Sequence, residues 1–86
     1  MPHYLSSHTL ACLTRQGAQE LNEKLWKSAL GRAKRVLVNL TEGKMFVEFE
    51  AANRDEAVGW LTGQGFHFDW VVRLELESLG GSLETL

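Results

Sequence analysis

The side chains best suited to chemistry in this chain are a histidine, several carboxylates and a guanidinium. Strand alternation brings them toward one surface: His8, Glu48, Glu75 and Arg73, with Asn39 and Tyr4 beside them. An imidazole facing a carboxylate is a general acid/base pair. The same two ligand types suit several divalent metals, with His8 as the candidate ligand. No close spacing of ligand residues enforces coordination, so a hydrogen-bonded polar network is the competing reading. Arg73 suits bidentate capture of a carboxylate.

Other reactive types lie further off. His67 falls in the turn Gly65–Asp69, where an exposed loop side chain is the ordinary outcome. His3 reads as a surface residue. Cys12 shares parity with His8, yet four strand residues separate them, and a small buried hydrophobe is its ordinary role. Trp26, Trp60 and Trp70 suit a planar ligand as well as core or interface packing.

The elements that must position these groups follow from periodicity. Tyr4–Leu13 is strand-like with weak alternation. Thr14 is a helix N-cap. Ala18, Leu21, Leu25 and Ala29 then recur at helical spacing, and Gly31 stops the helix. Val36, Val38 and Leu40 alternate with Leu37 and Asn39. Thr41–Lys44 is a hairpin turn with Gly43 where positive φ is needed. Met45, Val47 and Phe49 alternate with Phe46, Glu48 and Glu50. Asn53 and Glu56 form a capping box before a second helix. Trp70–Leu76 is the last strand. The chain is therefore an α+β domain, residues 1–78, with a βαββαβ ferredoxin-like plait. Its antiparallel sheet takes the order 4-1-3-2, and right-handed crossovers put both helices on one face. Residues 79–86 are a glycine-bearing tail that frays unless docked, and a partner subunit is a natural dock.

The alternation also predicts faces. Val36, Val38, Leu40, Met45, Val47, Phe49, Val72, Leu74 and Leu76 go under the helices. Tyr4, Ser6, His8, Leu10, Leu37, Asn39, Phe46, Glu48, Glu50, Val71, Arg73 and Glu75 go to the open face. That face is too apolar to leave exposed. Homodimerisation, sheet face against sheet face, covers it and closes a dimeric α/β barrel. Polar groups left between the sheets then need partners, a ligand or a metal.

Composition narrows the partners. The 86 residues carry 9 Lys and Arg against 11 Asp and Glu, a net charge of −2 with the signs interspersed. Such a chain lacks the basic stripe that drives phosphate-backbone binding, so no nucleic acid is expected. Gly43, Phe46, Val47 and Phe49 match the third-strand motif of RNA-recognition domains, but Glu42 and Lys44 break it. No apolar run is long enough for a membrane helix, and no secretion signal is evident at the start. A lone cysteine makes a reduced, cytoplasmic setting the default. The opening Met1-Pro2-His3-Tyr4 resembles small tautomerases that use a free N-terminal proline as base, although Met1 here blocks that amine.

Several short motifs together resemble a family of small ferredoxin-like proteins of unknown function, some of which bind nickel. They are Met1-Pro2-x-Tyr4-Leu5-x-x-His8, the run Leu37–Phe46, Glu50-Ala51 with Asp55-Glu56-Ala57, and Gly65 before Asp69. The resemblance implies a dimeric α/β-barrel assembly and a divalent metal such as nickel, with His8 carried over as a ligand. The expected function is binding of a small ligand or divalent metal at the open sheet face. The ligand-binding set is Tyr4, His8, Asn39, Glu48, Arg73 and Glu75. The alternatives are a cofactor-free monooxygenase or isomerase of the same assembly, by analogy of fold alone, and a structural or regulatory dimerisation module.

Overall fold

The fold is built outward from one hairpin. In the computed structural model, which describes residues 1–11 and 14–86, β2 (Ala33–Asn39) and β3 (Lys44–Glu50) pair antiparallel with Val36 opposite Val47 and Val38 opposite Met45. The alternation of apolar residues fixes this register, because a one-residue slip would turn Met45, Val47 and Phe49 to the opposite face. All three are buried. Gly43 closes the turn at φ +66°, and its carbonyl accepts the Leu10 amide at 2.8 Å. The glycine thus ties the turn to the segment that follows β1.

β1 (His3–Thr9) pairs with β3 on one side and β4 (Trp70–Leu74) on the other. The order is β2-β3-β1-β4, the expected plait, with helices α1 (Arg15–Ala29) and α2 (Arg54–Gly63) completing the α+β arrangement. Ala18, Leu25 and Ala29 of α1 and Ala57 and Leu61 of α2 are buried in the common core. Phe49 sits at its centre, stacked on Tyr4 at 5.9 Å and tilted on Trp60 at 5.0 Å between ring centroids. A buried side chain of this size contributes about 1.5–3 kcal/mol by burial alone.

The caps follow the sequence in part. Thr14 Oγ1 accepts the Gly17 amide at 3.1 Å. Asn53 Oδ1 accepts the Glu56 amide at 2.9 Å. The reciprocal half of the capping box is replaced, because the Glu56 carboxylate turns to Arg32 at 3.2 Å. α1 ends in Leu30 at φ 51°, followed by Gly31 at φ 87°.

Four expectations are corrected. The first strand ends at Thr9 rather than Leu13; Cys12 and Leu13 lie outside the described residues. On β1 the faces are inverted. Tyr4 lies opposite Phe49, Ser6 opposite Val47 and His8 opposite Met45, so all three point under the helices. Leu5, Ser7 and Thr9 take the open face. The small Ser6 is wholly buried beside the core, and His8 satisfies both ring nitrogens locally. On β4, Ser6 opposite Val71 and Tyr4 opposite Arg73 put Val71 and Arg73 on the helix side and Trp70, Val72 and Leu74 on the open side. Leu76 leaves the sheet and begins a separate two-stranded hairpin, β5 (Leu76–Glu77) with β6 (Glu84–Thr85). The tail is therefore a small arm.

Two backbone positions give opposite predictions. A Cβ on Gly43 would stand 2.9 Å from the Leu10 carbonyl oxygen, besides holding a left-handed φ. Gly43→Ala is expected to destabilise the protein by about 2 kcal/mol. Leu30 is left-handed and 91% exposed, so it loses no packing on replacement. Leu30→Asn is expected to stabilise by about 0.5–1 kcal/mol, since Asn tolerates this conformation. Urea unfolding of both variants checks the two signs; an unchanged midpoint for Gly43→Ala would refute the turn argument.

Candidate functional site

On the open face the strands stack side chains in rows. At one end Asn39, Lys44 and Thr9 stand in register, and Asp69 enters from the turn before β4. The Asp69 amide donates to the Ser7 carbonyl at 2.6 Å, which brings its side chain over the end of β1. Thr9 Oγ1 donates to the Asp69 carboxylate at 2.9 Å, and Ser7 Oγ does so at 3.4 Å. Lys44 Nζ donates to Thr9 Oγ1 at 2.8 Å and to Asp69 Oδ2 at 3.2 Å. The Thr9 hydroxyl and the Lys44 ammonium hold the Asp69 carboxyl below its ordinary pKa. It is an anchored anion at neutral pH, charge-matched by Lys44.

The next row is apolar. Leu37, Phe46 and Trp70 stand across the sheet, with Ser7 between the two aromatics. Phe46 and Trp70 close over Ser7 at 6.3 Å between centroids, and this roof buries it although it faces outward. The third row pairs Arg35 with Glu48 at 2.7 Å, followed by Leu5 and Val72. The last row joins Glu50 to His3 at 3.4 Å and to Lys34 at 3.5 Å, with Leu74 beyond. The result is an apolar band crossed by neutralised ion pairs.

The expected site residues separate. Asn39 and Glu48 lie on this face. Asn39 Oδ1 is occupied by the Glu42 amide at 3.0 Å, and Glu48 by Arg35. Tyr4 and His8 are buried on the other side of the sheet, and Arg73 shares that side at the edge. Glu75 lies beyond β4, exposed, its carbonyl accepting the Leu86 amide at 3.0 Å. Sequence reasoning missed Ser7, Thr9, Lys44 and Asp69, and singled out Trp70 only as one of three tryptophans suited to a planar ligand or to packing. The pair Asp69-Trp70 at the mouth of the last strand, and hydroxyls at alternate positions of the first, were the available signal.

His8 is a separate polar unit. Its Nδ1–H donates to the His67 carbonyl at 2.7 Å, so Nε2 accepts from Ser6 Oγ at 2.7 Å. This is a neutral imidazole with both nitrogens used, which burial demands. Burial pushes its pKa below the ordinary value, against the opposing pull of the His67 carbonyl and Asp69. Nothing in this arrangement offers a free ring nitrogen to a metal or substrate. Among the described residues, no three His, Cys, Asp or Glu side chains come together as a metal site.

Comparison of the chain with protein-family models, with curated proteins and with solved structures finds no match. The geometry alone therefore carries the functional argument. No helix among the described residues is long and apolar enough to cross a membrane.

The His8 geometry predicts a pH dependence. With its folded pKa lowered, the unfolded chain takes up a proton that the folded chain refuses. Stability falls as pH drops below about 6.5, the ordinary histidine value, and levels off below the folded pKa. His8→Gln removes that titration. Its urea midpoint is expected to change less than the wild-type midpoint between pH 7.5 and pH 5.5. Equal pH sensitivity in both proteins would show that His8 is not the group responsible.

Proposed function

We propose that this chain is a homodimeric binding protein in which two open sheet faces meet and enclose a small-ligand site. One observation carries the reading: Leu37, Trp70 and Val72 are 44%, 42% and 43% exposed in a band completed by Phe46 and Leu5. Soluble chains rarely leave contiguous apolar surface of this kind uncovered. The charges beside it suit a second copy. Lys34, Arg35 and Lys44 are each paired with Glu50, Glu48 and Asp69, so a twofold contact meets no wall of like charge. This is also the dimeric α/β-barrel arrangement that the family resemblance implies.

The ligand subsite in this reading is the hydroxyl, ammonium and carboxylate cluster of Thr9, Lys44 and Asp69 beside Phe46 and Trp70. It suits a molecule with one hydrogen-bonding end and a flat or apolar body. A divalent metal gains no support, since His8 is turned away and no metal-ligand set stands on this face among the described residues. The enzymatic alternative gains none from His8 either. A reducing, cytoplasmic setting belongs to the same reading, because Cys12 has no partner cysteine in the chain.

Sedimentation equilibrium tests the assembly. The wild type is expected at twice the chain mass of 9.7 kDa over the micromolar range. Trp70→Glu is expected to sediment as a monomer with unchanged far-UV circular dichroism, because Trp70 lies on the face and outside the core. A monomeric wild type, or a Trp70→Glu dimer of undiminished affinity, would overturn the face-to-face reading.

A further inference from the structure

The arm that follows β4 is a second surface this chain does not cover. Residues 75–86 are all exposed, Leu79 by 89%, and Leu76 and Leu83 by more than half. Yet the arm is a formed hairpin. Leu76 pairs with Thr85 and Glu77 with Glu84; the Leu86 amide donates to the Glu75 carbonyl, and the Gly81 amide to Ser78 Oγ at 3.3 Å. An isolated two-stranded hairpin is marginal in water. This one also sets two glutamates opposite each other, which is unfavourable without a cation nearby. It extends the molecule: the radius of gyration is 13.3 Å, against about 12 Å for a compact chain of this length.

The same chain holds an unfilled groove of matching chemistry. It lies between α1 and the edge strand β2, encloses about 430 Å³, and has Ala18, Val36, Val38 and Leu40 as its apolar floor. Arg15 lines it from the start of α1, with Gln19 and Asn22 along the same helix. The arm carries Glu75, Glu77 and Glu84 and no basic residue. The groove therefore offers the arm an apolar floor and, at Arg15, one cation.

The arm does not fill this groove in its own chain: no residue of 75–86 lines it. It leaves from β4, and β2 is the opposite edge of the sheet, three strand spacings or about 14 Å away. It also leaves at the end of the sheet where Leu74 stands in register with His3 and Glu50. The groove flanks the other half of β2, toward Asn39. Arm and groove are at diagonal corners of one domain.

We infer that the arm of each chain docks in the α1–β2 groove of a second copy, with Leu79 and Leu83 against Val36, Val38 and Leu40 and the arm glutamates beside Arg15. The exchange is reciprocal, as a twofold axis requires. The free backbone groups of the β2 edge add strand-to-strand hydrogen bonds. This goes beyond the sheet-face contact and can fail separately from it.

Crosslinking decides the location. In a Cys12→Ser background, Leu83→Cys chains are mixed with Val38→Cys chains and treated with a short bis-maleimide. Mixing two single-cysteine chains excludes an intramolecular product. A crosslinked pair is expected, with at least tenfold less product when the second chain carries Asp55→Cys on α2 instead. No crosslink, or equal crosslinking to both positions, would overturn the inference. Sedimentation gives an independent readout. Leu79→Ser with Leu83→Ser is expected to weaken dimerisation at least tenfold while far-UV circular dichroism is unchanged. If that variant associates as the wild type does while Trp70→Glu is monomeric, the arm exchange fails and the face contact stands. The opposite pattern leaves the arm and removes the face. A monomeric wild type ends both.

Discussion

The burial of His8 as a neutral ring is the constraint on which the arrangement of the sheet turns. β1 is bonded on both sides, so its side-chain parity decides what the helices cover and what the open face presents. Placing a histidine inward is costly unless both nitrogens are satisfied. Ser6 and the His67 carbonyl do this within one strand and one turn. The turn is held in its place by the Asp69 amide on the Ser7 carbonyl, and this same contact sets β4 beside β1. Arg54 adds a second fastening, donating from Nη1 to the Val71 carbonyl at 2.6 Å. Strand, turn and edge strand are thereby locked into one register by polar contacts.

That lock has a consequence on the far side of the sheet. With Tyr4, Ser6 and His8 inside, the outward set is Leu5, Ser7 and Thr9. Thr9 meets Asp69 and Lys44, and Ser7 lies under Phe46 and Trp70. The polar cluster and the aromatic roof are thus products of the same register that buries His8. A slip by one residue would abolish the candidate site and expose the histidine together. The site depends on the core through the register of the strands they share.

The legibility of the sequence follows from how different the two alternating sets of each strand are. On β3, Met45, Val47 and Phe49 against Phe46, Glu48 and Glu50 leave one choice, and the faces of the hairpin are as the pattern predicts. On β1 the two sets are nearly equal in apolar content, and a polar side chain inside is satisfied only by partners the pattern does not reveal. His67 lies 59 residues from His8 along the chain, and Asp69 60 from Thr9. On β4 the charge of Arg73 argued for the open face. An edge strand lets a long side chain lie on the helix side while its charged head reaches water. The same cause hid the candidate site. Lys44, Thr9 and Asp69 come together through cross-strand register, which spacing along the chain does not report. Helix boundaries and caps, by contrast, were readable because Thr14 and Asn53 act within three residues of themselves.

The edges of the sheet show how association can be selective. β2 begins with a register irregularity between Ala33 and Arg35, and the next positions bear the cations Lys34 and Arg35. Both features discourage indiscriminate pairing along that half of the edge. The other half, Val36 to Leu40, has no charged residue and borders the groove. A strand arriving at β2 therefore meets the Lys34–Glu50 and Arg35–Glu48 ion pairs along one half of the edge and apolar side chains along the other. The hairpin after β4, with Leu79 and Leu83 exposed, is the segment proposed to meet the apolar half. In the proposed assembly, selectivity rests on an apolar stretch bordered by ion pairs, placed at the edge where a small sheet is most open to unwanted partners.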